Sequence, residues 1–259
     1  MSTPSVTRDP GGSATSAPRR PSVLRMVDGG IHFDGVKAVD GVSLEIASGE
    51  VLGLIGPNGS GKTSTLNLLS GMLRATSGRI ELDDQDLTRL PMRRRVRRGV
   101  VRTFQSGRVF PRLSVAENVE AAALGSGLRR GEARSLRDEV LEELSLQSVA
   151  HDRADQLTAG RVRTTAIARA LASRPRFLLL DEPAAGQNES EAVELINAIR
   201  GFARRRECGV LLVEHDMAVV MGTCDRLHVL DSGRTVVVGD PASVRRDPRV
   251  IDIYFGKRH

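Results

Sequence analysis

The stretch Val51-Leu-Gly-Leu-Ile-Gly-Pro-Asn-Gly-Ser-Gly-Lys-Thr-Ser64 decides the fold. Residues 51–55 are an apolar run that predicts a buried strand, and Gly56–Thr63 spell G-x-x-x-x-G-K-[ST] directly after it. Glycines at 56, 59 and 61 let successive backbone N–H groups turn inward around an anion, with Pro57, Asn58 and Ser60 between them. Lys62 brings a point charge to the outer phosphates and Thr63 offers a hydroxyl to Mg²⁺, with Ser64 next in the cradle. A helix beginning near Lys62 adds the positive end of its dipole, and Leu66, Leu69 and Leu73 continue it on an apolar face. Nucleotide binding follows from this loop in this setting.

The rest of the composition bounds the answer. At 259 residues, 40% apolar and 27% charged, the chain has the make-up of a globular protein with a sizeable core. No apolar run approaches 18 residues, so no spanning helix is expected. Residues 1–22 are rich in Ser, Thr, Pro, Gly and Arg without an apolar segment, and read as a disordered tail rather than a secretory signal. Cys208 and Cys224 match no metal or redox spacing and read as small reduced hydrophobes. Net charge is +6, nearly all arginine, with lysine only at 37, 62 and 257. The cluster Arg93, Arg94, Arg95, Arg97, Arg98 and Arg102 fits nucleic acid, anionic lipid headgroups or a solvated helix face. Aromatics are 3% of the chain and Trp is absent, which weighs against base stacking and towards a solvated or membrane-proximal surface.

Short strands are expected at 42–46, 51–55, 78–82 and 100–104, then again at 177–180, 209–213, 227–230 and 235–238. Ser114-Val-Ala-Glu117 reads as a capping box, and Leu136, Val140 and Leu144 recur on one helical face. Strands alternating with helices argue an α/β fold with a parallel-centred sheet, accompanied by an antiparallel portion. The expected organisation is a core of 23–105 and 156–240, an inserted helical subdomain at 106–155, and a short extension at 241–259. Phe177-Leu-Leu-Leu-Asp181-Glu182 is a buried strand ending in two acids, delivering carboxylates to the crevice where such sheets bind ligands. Opposite Thr63, Asp181 is expected to hold Mg²⁺, and Glu182 to orient and deprotonate the water that attacks a γ-phosphate.

Taken together, these segments resemble the ATP-binding subunit of ABC transporters, and within them the branched-chain amino-acid importer group. The resemblance rests on Gly53–Gly71, Arg102–Gln105, Phe110–Asn118, Leu178–Asn188, Leu212–Met217 and Cys224–Arg226, and spans all but the tail. It implies an ABC-type P-loop ATPase, with ATP and Mg²⁺ as ligands. It further implies that Phe33 stacks on adenine, that Gln105 reaches Mg²⁺ and the attacking water, and that His215 holds the γ-phosphate. Asn188 falls in the loop that crosses to a partner subunit.

The family's Leu-Ser-Gly-Gly-Gln signature, which closes on the partner's nucleotide, reads Leu157-Thr158-Ala159-Gly160-Arg161 here. Thr158 keeps the hydroxyl and Gly160 the close approach, whereas Arg161 puts a cation at a helix start, where the dipole disfavours it by roughly 0.3–1 kcal/mol. The implied function is hydrolysis of ATP to energise an importer, by default of branched-chain or other hydrophobic amino acids; urea, short amides or other small polar solutes stay open as cargo. Implied partners are permease subunits, a second ATP-binding subunit, identical or not, and indirectly an external solute-binding protein; nucleic acid is not expected. The implied location is the cytoplasmic face of the membrane. Two other readings stay open, a weakly hydrolysing regulatory half of a heterodimeric pair and an ATPase acting on nucleic acid.

Overall fold

The computed structural model describes residues 21–33, 35–103 and 108–255. Two sheets form its frame. The first is antiparallel, built from β1 (Val23–Phe33), β2 (Val36–Ala47), β4 (Ser77–Leu82) and β5 (Gln85–Asp86), in the order β2-β1-β4-β5. The second contains β3 (Val51–Ile55), β6 (Val100–Arg102), β7 (Phe177–Asp181), β8 (Gly209–Val213), β9 (Arg226–Asp231) and β10 (Arg234–Gly239), in the order β10-β9-β3-β8-β7-β6. Its strands are parallel except β10, which folds back on β9 as an antiparallel hairpin.

Strands β3, β7 and β8 are buried throughout, as runs of Val and Leu in a sheet covered on both faces should be. Alternate residues divide between two cores. Leu52, Leu54, Phe177, Leu179 and Leu211 face the antiparallel sheet and the helix α1 (Lys62–Ser70). Val51, Ile55, Leu178, Leu180, Val210 and Leu212 face the helices α3 (Val115–Gly125), α4 (Arg130–Glu143), α5 (Ala159–Ala172) and α6 (Glu189–Arg205). The hydrophobic core therefore runs without a break from the central strands into the helices that follow Ser114. Ser114 closes a full capping box with Glu117, and Leu136, Val140 and Leu144 are buried together. The chain closes with α7 (Met217–Thr223), α8 (Pro241–Arg246) and α9 (Pro248–Phe255). No described helix is long and apolar enough to cross a membrane. Cys208 and Cys224 are free and buried, and burial pushes both thiols up to about 12.

The arginine cluster divides in a way its composition conceals. Arg93, Arg94, Arg97 and Arg98 are exposed on and after the short helix α2 (Met92–Val96), but Arg95 is 1% exposed and Arg102 is buried. The reading of the cluster as one solvated surface is corrected for those two. Arg95 Nη1 donates to the carbonyls of Leu68 (2.6 Å) and Leu69 (2.9 Å), Nε to Leu90 O (2.9 Å) and Nη2 to Thr88 O (3.0 Å). It thus supplies donors and positive charge to the C-terminal end of α1, where carbonyls lack helical partners. Replacing Arg95 with Met strands these acceptors inside the protein and should lower unfolding stability by about 3 kcal/mol or more. Arg93→Ala and Arg94→Ala should stay within about 0.5 kcal/mol; urea unfolding of the three variants checks the contrast.

Candidate functional site

The glycine-rich loop leaves the carboxyl end of β3 and turns into α1. Gly56, Gly59 and Gly61 all adopt positive φ, at 151°, 80° and 103°. At Gly56 a Cβ would sit 2.1 Å from Leu230 O and 2.6 Å from Ser60 Oγ, so glycine is required for space as well as conformation. Gly61 is the N-cap of α1, and no side chain caps the helix, leaving its first N–H groups to whatever the loop encloses. Lys62 Nζ folds back onto the carbonyls of Gly56 (2.7 Å) and Pro57 (2.9 Å). Burial lowers the Lys62 pKa, while Glu182 and Asp181 pull it back up. Pro57 is half-buried, Asn58 and Thr63 exposed, and Ser64 half-buried. The buried hydroxyls of Ser60 and Thr65 have no hydrogen-bond partner among the described residues.

Asp181 and Glu182 end β7 beside this loop. Asp181 is 5% exposed, with Oδ2 accepting from Arg102 Nη2 at 2.9 Å and Oδ1 buried without a hydrogen-bond partner among the described residues. Burial raises its pKa and the Arg102 guanidinium opposes that rise. Glu182 is a non-glycine residue at φ 46°, a conformation costing on the order of 1–2 kcal/mol. Its N–H is tied to Val213 O at 2.9 Å, which turns the chain sharply at the strand tip. His215 follows β8, and its Nδ1 lies 3.9 Å from Glu182 Oε1 and 3.8 Å from Glu214 Oε2. Glu214 was not singled out from the sequence. It is buried, accepts the Ala184 N–H at 3.2 Å, and its carboxyl is pushed up by desolvation. An acid placed directly between an apolar strand and His215 was the available signal.

An orphaned buried carboxylate oxygen, a helix N-terminus free of side-chain caps and a cradle that excludes even a Cβ fit a nucleotide's phosphates with Mg²⁺. Phe33 stands at the end of β1, 46% exposed, on the antiparallel sheet. Gln105 lies outside the described residues.

Thr158 and Gly160 lie at the start of α5. Thr158 caps α5, its Oγ1 accepting the Arg161 N–H at 3.4 Å, and both Thr158 and Ala159 are exposed. Among the described residues nothing lies within 4 Å of a Cβ built on Gly160. The Arg161 guanidinium is turned aside, donating from Nη1 to Ser145 O at 2.8 Å, and so leaves the helix start to its own N–H groups. A cavity of about 660 Å³ opens there, reaching Gly186 and Glu191. Asn188 caps α6 through a capping box with Glu191, a local reason for Asn at that position. Another cavity, about 870 Å³, lies at the opposite edge of the sheet beside Arg25, Arg174 and Arg176, remote from this chemistry.

The geometry is that of a phosphate-loop nucleotide-binding cassette. Residues 39–185 match the family described as ABC transporter, and residues 234–259 match the branched-chain amino acid ATP-binding cassette transporter family. The high-affinity branched-chain amino acid transport ATP-binding protein LivG of Escherichia coli (strain K12) is 40% identical over 242 residues, covering 88% of this chain and 95% of LivG. The lipopolysaccharide export system ATP-binding protein LptB of Acidithiobacillus ferridurans is 39% identical over 215 residues, covering 83% of this chain and 89% of LptB. A crystal structure of a nucleotide-free ATP-binding cassette from an ABC transporter superposes with TM-score 0.79 at 28% identity, covering 91% of this chain and 100% of that one. The chain belongs to the ABC transporter family, as an ATP-hydrolysing subunit carrying the terminal segment of the branched-chain amino acid group.

Gly56→Ala should cut nucleotide affinity at least tenfold and lower the unfolding midpoint, because the new Cβ meets backbone as well as an unfavourable φ. Gly59→Ala has open space around it and should lose only about 1–2 kcal/mol from φ alone. Calorimetric ATP titration and thermal melts of the two variants check this.

Proposed function

We propose that this chain is the motor subunit of a membrane importer for branched-chain or other hydrophobic amino acids. The observation that carries the reading is the convergence of the 56–63 loop, Asp181-Glu182 and His215 at one edge, with His215 Nδ1 3.9 Å from Glu182. Lys62 and the N–H groups of Gly56, Gly59, Ser60 and Gly61 hold the phosphates, with Thr63 and Ser64 at the helix start. Asp181 and Thr63, with Gln105 by the family resemblance, would hold Mg²⁺, which would supply positive charge against the oxygens of the transferring group. Glu182 accepts the proton of the attacking water, and its strained, tethered backbone fixes where that carboxylate stands. His215 donates towards the γ-phosphate, with the Glu182 and Glu214 carboxylates 3.9 and 3.8 Å from its Nδ1. Phe33 stacks on the adenine.

Thr158, which is exposed, and Gly160, which is half-buried, close on the ATP of a second ATP-binding subunit. Phe110 supports a contact with the permease at the cytoplasmic membrane face. Its ring is 50% exposed, with the Arg169 guanidinium 4.6 Å from its centroid and its backbone pinned by Asn118. The cargo follows from the likeness to LivG and from the 234–259 segment. Any external solute-binding protein acts through the permease. A nucleic-acid role loses ground, since two of the six clustered arginines are held inside the fold.

The altered signature favours a second reading, in which this chain is the regulatory half of a pair of unlike ATPases. The solution mass of Glu182→Gln with and without Mg-ATP separates the two. Removing the base while sparing binding should trap an ATP-dependent dimer if Leu157–Arg161 closes on a second copy. A monomer that binds ATP would instead point to a different partner. In the same background, Gly160→Ala should leave ATP binding and stability intact, because a Cβ meets nothing within 4 Å among the described residues. It should weaken the dimer at least tenfold by thickening the surface that meets the partner's nucleotide.

A further inference from the structure

Arg102, the last residue of β6, is buried against the nucleotide edge. In the parallel register it pairs with Leu179, so its side chain must reach forward along β7 to meet Asp181. Its Nη2 donates to Asp181 Oδ2 at 2.9 Å, and both side chains are only 5% exposed. Its Nη1 donates to Asn67 Oδ1 on α1, the phosphate-loop helix, and lies 3.4 Å from Met72 Sδ.

Arg–carboxylate pairs are frequently bidentate, with two parallel N–H···O bonds. Here the fork is divided. One arm holds a single carboxylate oxygen and the other grips the helix that carries Lys62 and Thr63. Asp181 Oδ1 is left buried and without a hydrogen-bond partner among the described residues. A buried acceptor in that state is costly unless a ligand completes it.

We propose that Arg102 is a positioning residue for the metal site: it fixes Asp181 by Oδ2, presents Oδ1 as the single oxygen offered to Mg²⁺, and ties that orientation to α1 through Asn67. The inference rests on the reading of Asp181 as a metal ligand. Arg102 plays the part of an outer partner that orients a ligating carboxylate, a role whose loss commonly weakens metal binding 10–100-fold. It also keeps the carboxylate paired when no cation is bound. Lysine would conserve the charge but not the divided grip.

The test uses the full chain and reads binding rather than turnover. ATP affinity is measured by calorimetry in EDTA, and Mn²⁺ affinity of the ATP complex by electron paramagnetic resonance. Arg102→Met should weaken Mn²⁺ binding roughly 10–100-fold and leave ATP affinity in EDTA within about twofold. Arg102→Lys, which retains the buried charge pair, should fold as the wild type does and give an intermediate loss of Mn²⁺ affinity. If Arg102→Met does not fold, Arg102→Lys alone decides by the same criterion. Asp181→Asn is the control on the underlying reading and should lose the metal's contribution to binding. Wild-type Mn²⁺ affinity in the Arg102 variants, with Asp181→Asn impaired, overturns the proposal and makes Arg102 structural. A parallel fall of ATP affinity in EDTA overturns it too. Wild-type Mn²⁺ affinity in Asp181→Asn removes the metal reading itself, and the proposal with it.

Discussion

Everything at the site depends on the parallel register of three buried strands. Val51 of β3 lies beside Val210 of β8, and Phe177 of β7 lies beside Gly209. Strands in this register end together, so the residues after Ile55, Leu180 and Val213 emerge at one edge. Those residues are Gly56, Asp181-Glu182 and Glu214-His215. Chain positions more than 150 residues apart thereby meet through hydrogen-bonded backbone, with no side chain needed to bring them together. Two hydrophobic cores hold the register. Because successive residues of each strand belong to opposite cores, a slip of one position would exchange the whole apolar set.

That edge gathers charge at close quarters. Asp181 and Glu214 are buried acids whose desolvation favours protonation, and the charge of Glu182, on a strained backbone, acts on both in the same direction. The cations are arranged in depth: Arg102 is committed to Asp181, while Lys62 is held by two carbonyls that a phosphate would displace. Lys62 is therefore placed to respond to a ligand, and Arg102 keeps Asp181 paired without one. The same division recurs further along the chain, where Arg95 serves the far end of the phosphate-loop helix.

Much of this was legible beforehand. The loop, the apolar strand before it, the acid-tipped β7 and the capping box at Ser114 all follow from local pattern, because each is decided within a few consecutive residues. What escaped was decided by distant contacts. Nothing in Arg93–Arg98 marks Arg95 as the one whose side chain turns inward, since the carbonyls it meets belong to Leu68 and Leu69. Arg102 reads as one more basic residue until β7 is placed beside β6. Glu214 was overlooked because His215 drew the functional reading. The sequence puts the Arg161 cation at a helix start, where the dipole disfavours it, but Ser145, a residue of the preceding helical block, offers its carbonyl and takes the side chain away. Gln105 lies outside the described residues, so its role rests on the family resemblance.

The most direct measurement is hydrogen exchange across the full chain with and without Mg-ATP. Slowed exchange at the amides of residues 56–65, with weaker protection around 181–184, is the predicted result, because those N–H groups surround the phosphates and the turn beside them. Protection centred instead on residues 22–25 and 174–176, which border the cavity at the opposite edge, with 56–65 unchanged, would contradict the account.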